Sequence, residues 1–161
     1  KSRQLQKPVL NDLLIGGNAI SNSSVIVRKK LLYEIGLIDE NKHLPASEDY
    51  STWLKIAELS DKFLYLPYKL GYYFVHSQSM SKKDMSLPMR HAVTEFLPRL
   101  NNKQKKKVEA NLRYSSGRFN YLNLNFDKAK KELYYVLQNG NFSLKIRSLT
   151  MIIMIFFRKF I

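Results

Sequence analysis

A chain of 161 residues, 45% hydrophobic and 25% charged, has the length of one or two globular domains and is too apolar for a disordered tail. Its 27 Lys and Arg against 13 Asp and Glu give a formal charge of +14, which favours an anionic partner: nucleic acid, phospholipid headgroup or nucleotide. The absence of cysteine excludes a disulfide scaffold, a thiolate zinc site and a cysteine nucleophile, and fits a reducing cytoplasm.

Residues 1–11 hold no apolar core of signal-peptide length, and a chain opening on Lys1 reads as part of a longer protein. Residues 19–27 follow the flexible pair Gly16-Gly17 and end in the β-branched run Val25-Ile26-Val27, which predicts a strand. A short helix over 28–35 is expected to stop at Gly36. Ser47 is a favourable N-cap for a helix from Glu48 to Leu59, with Tyr50, Trp53, Leu54 and Ala57 on one apolar face. Two strands, 63–66 and 70–75, are predicted around a turn at Pro67.

The pattern changes near Ser86, and so does the charge. Residues 1–86 carry 12 basic and 9 acidic side chains (+3), whereas residues 87–161 carry 15 and 4 (+11). Two regions are therefore expected: an α/β region over 1–86 and an all-α helical region over 87–161. Helices are predicted near 87–100, 103–122, 126–138 and 143–160, with Gly140 as a helix stop. Gly117 and Ala129, followed by Leu133 and Val136, fit a helical hairpin of tetratricopeptide size; a plain hairpin whose small residues allow close packing fits equally well. The longest apolar run, 151–157, is far short of the roughly 20 residues that cross a bilayer, but it can lie on one.

Chemistry concentrates in Ser47-Glu48-Asp49-Tyr50-Ser51-Thr52-Trp53. Successive helical residues point about 100° apart, so one carboxylate can face a cleft while the other serves the fold. The plainer alternative is that both are helix-start acids favoured by the exposed N–H groups. His76, followed by the hydroxyl-rich stretch 77–81, has the chemistry for a metal or a phosphate, and equally that of an ordinary polar loop.

Taken in order, five segments resemble the second half of the family 2 inverting glycosyltransferases of the GT-A fold. They are residues 18–29, residues 34–40, the Glu48-Asp49-Tyr50 segment through Ala57, Tyr65-Leu66-Pro67, and His76 with Ser79 and Ser81. The resemblance covers about residues 16–81. It implies an α/β fold in which residues 1–86 form the acceptor-side, C-terminal half of a GT-A sheet, followed by the helical region. It further implies that Asp49 is the catalytic base, removing a proton from an acceptor hydroxyl as that hydroxyl attacks the anomeric carbon of a nucleotide-sugar. Glu48, Asn22, Ser23 and Trp53 would then lie near the acceptor and sugar, and His76 near the diphosphate or its metal.

The Asp-x-Asp pair with which such enzymes hold a divalent ion, Mg or Mn, is absent from this sequence. The resemblance thus implies a donor-binding half upstream and an inactive isolated chain. The expected partners are a nucleotide-sugar donor and a glycan or lipid-linked acceptor, in the assembly of a bacterial cell-surface polysaccharide at the cytoplasmic face of the membrane. An unpaired sheet edge would also favour a homo-oligomer.

Two other readings compete. The run Lys103-Gln104-Lys105-Lys106-Lys107 and ten tyrosines have the chemistry of nucleic-acid contact, although no recognition motif accompanies them, which disfavours nucleic acid. Alternatively the basic helical region is an interaction module, with Lys145, Arg147, Arg158 and Lys159 bracketing the apolar run for an anionic membrane surface. Against that stands a core-closing role for Ile152, Ile153, Ile155 and Phe156.

Overall fold

The computed structural model describes residues 3–157 except 42, 44, 70, 73 and 75–82. Among the described residues the regular structure is helical throughout, seven α-helices and two 3-10 turns.

The first helix, α1, spans Val9–Gly16 and is not anticipated from the sequence. Pro8 precedes it with φ fixed at −68°, and Val9, Leu13 and Leu14 place one face inside. The Val9 N–H, an orphan donor of the first turn, finds Asp61 Oδ1 at 2.7 Å. Next, α2 (Lys29–Glu34) ends before Gly36, whose φ of +79° is the left-handed conformation expected of that residue. The bounds of α3, Glu48–Leu59, are those predicted. The helix expected over 87–100 is split into α4 (Ser86–Thr94) and a 3-10 turn over Leu97–Arg99, which contains the helix-breaking Pro98.

The longest helix, α5 (Asn102–Leu122), opens on a reciprocal capping box. Asn101 Oδ1 accepts from the Gln104 N–H at 2.9 Å, and Gln104 Oε1 accepts from the Asn101 N–H at 3.0 Å. The chain then forms α6 (Phe126–Asn139) and α7 (Phe142–Phe157). Gly140 does separate them: a Cβ there would stand 2.7 Å from the Val136 carbonyl oxygen, so no larger residue fits without a shift of backbone.

The α/β expectation is overturned, and with it the reading of the chain as a GT-A fragment. Residues 22–24 form a 3-10 turn, Val25 is extended at φ −116°, ψ 138°, and 63–66 carry no regular structure. In the segment 70–75, Gly71, Tyr72 and Phe74 are likewise irregular and the other residues lie outside those described. β-Branched and aromatic alternation does favour extended backbone, but a strand exists only as one side of a hydrogen-bonded ladder, and no ladder forms among the described residues. The side chains of Ile26, Leu64 and Tyr72 accordingly stand in solvent instead of on a sheet face.

Burial is divided between two cores. The first gathers Leu13 and Leu14 of α1, Tyr50 and Leu54 of α3, Val93 of α4, Phe96, and Val108 and Leu112 of α5, drawing on both sides of position 86. The second joins Ala129 and Leu133 of α6 to Ile155 of α7, with Tyr114 and Tyr121 of α5 against them. Each fully buried Leu contributes about 1.5–3 kcal/mol of transfer free energy. Gly117, as the sequence suggested, is a point of close approach: a Cβ there would meet the Leu133 side chain at 3.0 Å. The helix α5 thus serves both cores.

Candidate functional site

The first turn of α3 is held by the Asp49 carboxylate and the Thr52 hydroxyl and not by its N-cap residue. Ser47 is buried, but its side chain makes no capping bond, and the preceding Ala46 is held at φ +58°. Asp49 Oδ1 instead accepts from the Tyr50 N–H at 2.6 Å, and the Thr52 hydroxyl donates to the Glu48 carbonyl at 2.7 Å. Asp49 is partly buried, and burial pushes its carboxyl above the usual range. The neighbouring Glu48 charge pushes the same way, against the Tyr50 N–H and the Asn18 side chain, which favour the ionised form. An acid balanced in this way is more basic than an exposed aspartate and keeps hydrogen-bond partners that fix its orientation.

Asn18 reaches Asp49 because α1 and α3 are locked together. The Tyr50 hydroxyl donates to the Leu13 carbonyl at 2.9 Å, and burial raises that hydroxyl well beyond its ordinary value, so it remains a donor. After α1, Gly17 turns the chain at φ +78° and delivers Asn18 beside α3. Its Oδ1 accepts from the Ile20 N–H at 3.0 Å, which leaves its amide to face Asp49. In the sequence Asn18 stood out only as the start of the resembling segment 18–29, after the flexible Gly16-Gly17 pair.

The remaining expected site residues are dispersed. Glu48 adjoins Asp49 in the first turn of α3 and is partly buried. Asn22 and Ser23 are exposed on the 3-10 turn, and no hydrogen bond connects either to Asp49. Trp53 lies one helical turn beyond Asp49, buried in the first core, where its Nε1 has no hydrogen-bond partner. His76 lies outside the described residues. Among the described residues no three His, Asp or Glu side chains converge to hold a metal ion.

A second polar constellation ties α4, α5 and α6 together. Arg90 grips Glu109 through two bonds of 2.8 and 3.0 Å, and Arg113 Nε donates to the same carboxylate at 2.8 Å. Arg113 also approaches Glu132 at 3.5 Å and lies 4.3 Å from the centre of the Tyr135 ring. Burial would raise Glu109, but the hydrogen bonds from Arg90 and Arg113 outweigh it and its carboxyl sits below the usual range. The arrangement is a structural clasp whose carboxylate is fully engaged.

No protein-family model, no curated protein and no solved structure matches this chain.

Proposed function

We propose that this chain supplies the general base of an inverting glycosyl transfer from a nucleotide-sugar to an acceptor hydroxyl. The single observation that carries the reading is Asp49: a partly buried carboxylate, raised by desolvation and Glu48, oriented by the Tyr50 N–H and by Asn18. In the reaction the acceptor oxygen forms a bond to the anomeric carbon as its proton passes to Asp49. The bond from that carbon to the donor phosphate breaks, and the nucleoside diphosphate leaves with the electron pair. A base whose pKa is drawn towards neutrality is a better proton acceptor at cellular pH than an exposed aspartate. Asn18 acts as a positioning residue for that carboxylate.

The reading rests on this carboxylate and not on a sheet. Donor binding, with any Mg or Mn ion, is assigned to a separate donor-binding half, without which the 161-residue chain is expected to be inactive. The acceptor is taken to be a growing bacterial surface glycan or its lipid-linked precursor, extended at the cytoplasmic face of the membrane. Among the described residues, no helix is long and apolar enough to cross that membrane.

The test is transfer of labelled sugar by the complete gene product. Asp49→Asn should lower turnover by about 10²–10⁴-fold with donor affinity unchanged, because the amide keeps the size of the carboxylate but cannot take the proton. Glu48→Gln, which removes only a lesser push on Asp49, should lower turnover far less than Asp49→Asn does. An Asp49→Asn enzyme as fast as the parent would end the assignment.

A further inference from the structure

Helix α7 is apolar on two sides. Leu144, Met151 and Ile155 face the bundle, and this accounts for its part in the second core. The opposite side carries Phe142, Ile146, Leu149, Ile153 and Phe157, spaced by four, three, four and four residues into a single stripe. All five are exposed, from 45% at Ile153 to 80% at Phe142. The Tyr121 hydroxyl meets Met154 Sδ at 3.3 Å on the flank of α7 between the two faces. Of the four residues in the core-closing alternative, Ile155 is buried in the second core and Ile152 packs against it, whereas Ile153 and Phe156 are exposed.

Charge identifies the occupant. From 102 to 157 there are eleven Lys and Arg against three acids. All three acids are engaged: Glu109 with Arg90 and Arg113, Glu132 with Arg113, and Asp127 with Lys130. Lys145 and Arg147 on α7 make no ion pair among the described residues. An apolar stripe in a surface of uncompensated positive charge is complementary to an anionic lipid headgroup layer over hydrocarbon. A second copy of the chain would oppose two surfaces of like charge. A helix of 16 residues is about 24 Å long, sufficient to lie in the headgroup plane and too short to span.

We propose that the outward stripe of α7 seats this protein on an anionic bilayer, with the helix axis in the plane of the surface and Lys145 and Arg147 reaching headgroup phosphates. The proposal is independent of the assignment of Asp49, and its assay does not read glycosyl transfer.

The experiment is co-sedimentation of the 161-residue chain with phosphatidylcholine vesicles, with and without about one-third phosphatidylglycerol. Binding should require the anionic lipid and fall as salt rises. The pair Leu149→Ser and Ile153→Ser should weaken it by about tenfold or more while leaving the far-UV circular dichroism and melting curve unchanged, because both side chains are already exposed. Lys145→Glu with Arg147→Glu tests the same surface without touching an apolar contact, and should weaken binding by roughly fivefold or more for each residue. Equal binding to neutral vesicles, or binding that survives both variant pairs, overturns the proposal. So does a dimer in light scattering that the serine pair converts to a monomer without any vesicle binding, which would make the stripe an interface between copies.

Discussion

Asp49 and Glu109 perturb the fold in opposite directions, and pH separates them. Burial, aided by Glu48, raises Asp49 in the folded chain above its unfolded value. Its contribution to stability is therefore fully present below the unfolded pKa and is lost as pH rises through the folded one. At neutral pH the ionised carboxylate burdens the fold, so Asp49→Asn should raise the urea midpoint at pH 7 and leave it unchanged near pH 3. A base placed for catalysis would show this combination of greater stability and lost turnover. Glu109 is depressed, since the Arg90 and Arg113 hydrogen bonds outweigh its burial. Its contribution is present above the unfolded pKa and is lost as pH falls through the folded one. Glu109→Gln should accordingly lower the urea midpoint at pH 7, with the difference vanishing in acid. The Glu48-Asp49 pair was legible because first-turn acids directly precede an apolar helical period. Asn18 was not, because its partner lies across a tertiary contact between α1 and α3.

At the scale of elements, periodicity over a long segment was a sound guide and extended-chain propensity was not. The bounds of α3, and α5 and α6 to within a residue, follow from apolar spacing that tertiary packing then uses. The predicted strands failed because propensity describes one chain, whereas a ladder needs two. The first helix was not legible because it is only eight residues long and runs straight into the Gly16-Gly17 pair. Small residues were informative where two helices meet. Gly117→Ala gains about 1 kcal/mol of helix propensity but presses a methyl group against Leu133 at 3.0 Å, so the two effects should nearly cancel. Gly117→Val adds bulk without that gain, and should cost roughly 1–3 kcal/mol in urea denaturation. A valine variant as stable as the parent would mean that α5 and α6 are not in close contact there.

In the whole molecule, two cores share one rod. Val108 and Leu112 of α5 belong to the first, and Tyr114 and Tyr121 to the second. Leu54→Ala and Leu133→Ala each remove a fully buried side chain and should cost about 2–5 kcal/mol. Immediately after Tyr114, the first residue of α5 to pack on the second core, the helix runs through Ser115-Ser116-Gly117, three residues of modest to poor helix propensity. The Asn120 side-chain amide also donates to the Ser116 carbonyl at 2.9 Å, competing for the acceptor that holds the helical ladder there. The rod is therefore least cohesive at the near end of the second core, just past Leu112 of the first. Its consequence lies in the order of opening events: amide protons of α6 and α7 should exchange with deuterium through partial openings that leave α1 and α3 closed. Leu133→Ala would then hasten exchange in α6 and α7 well before it reaches α3, and equal acceleration in all four helices would mean that the seam transmits every loss intact.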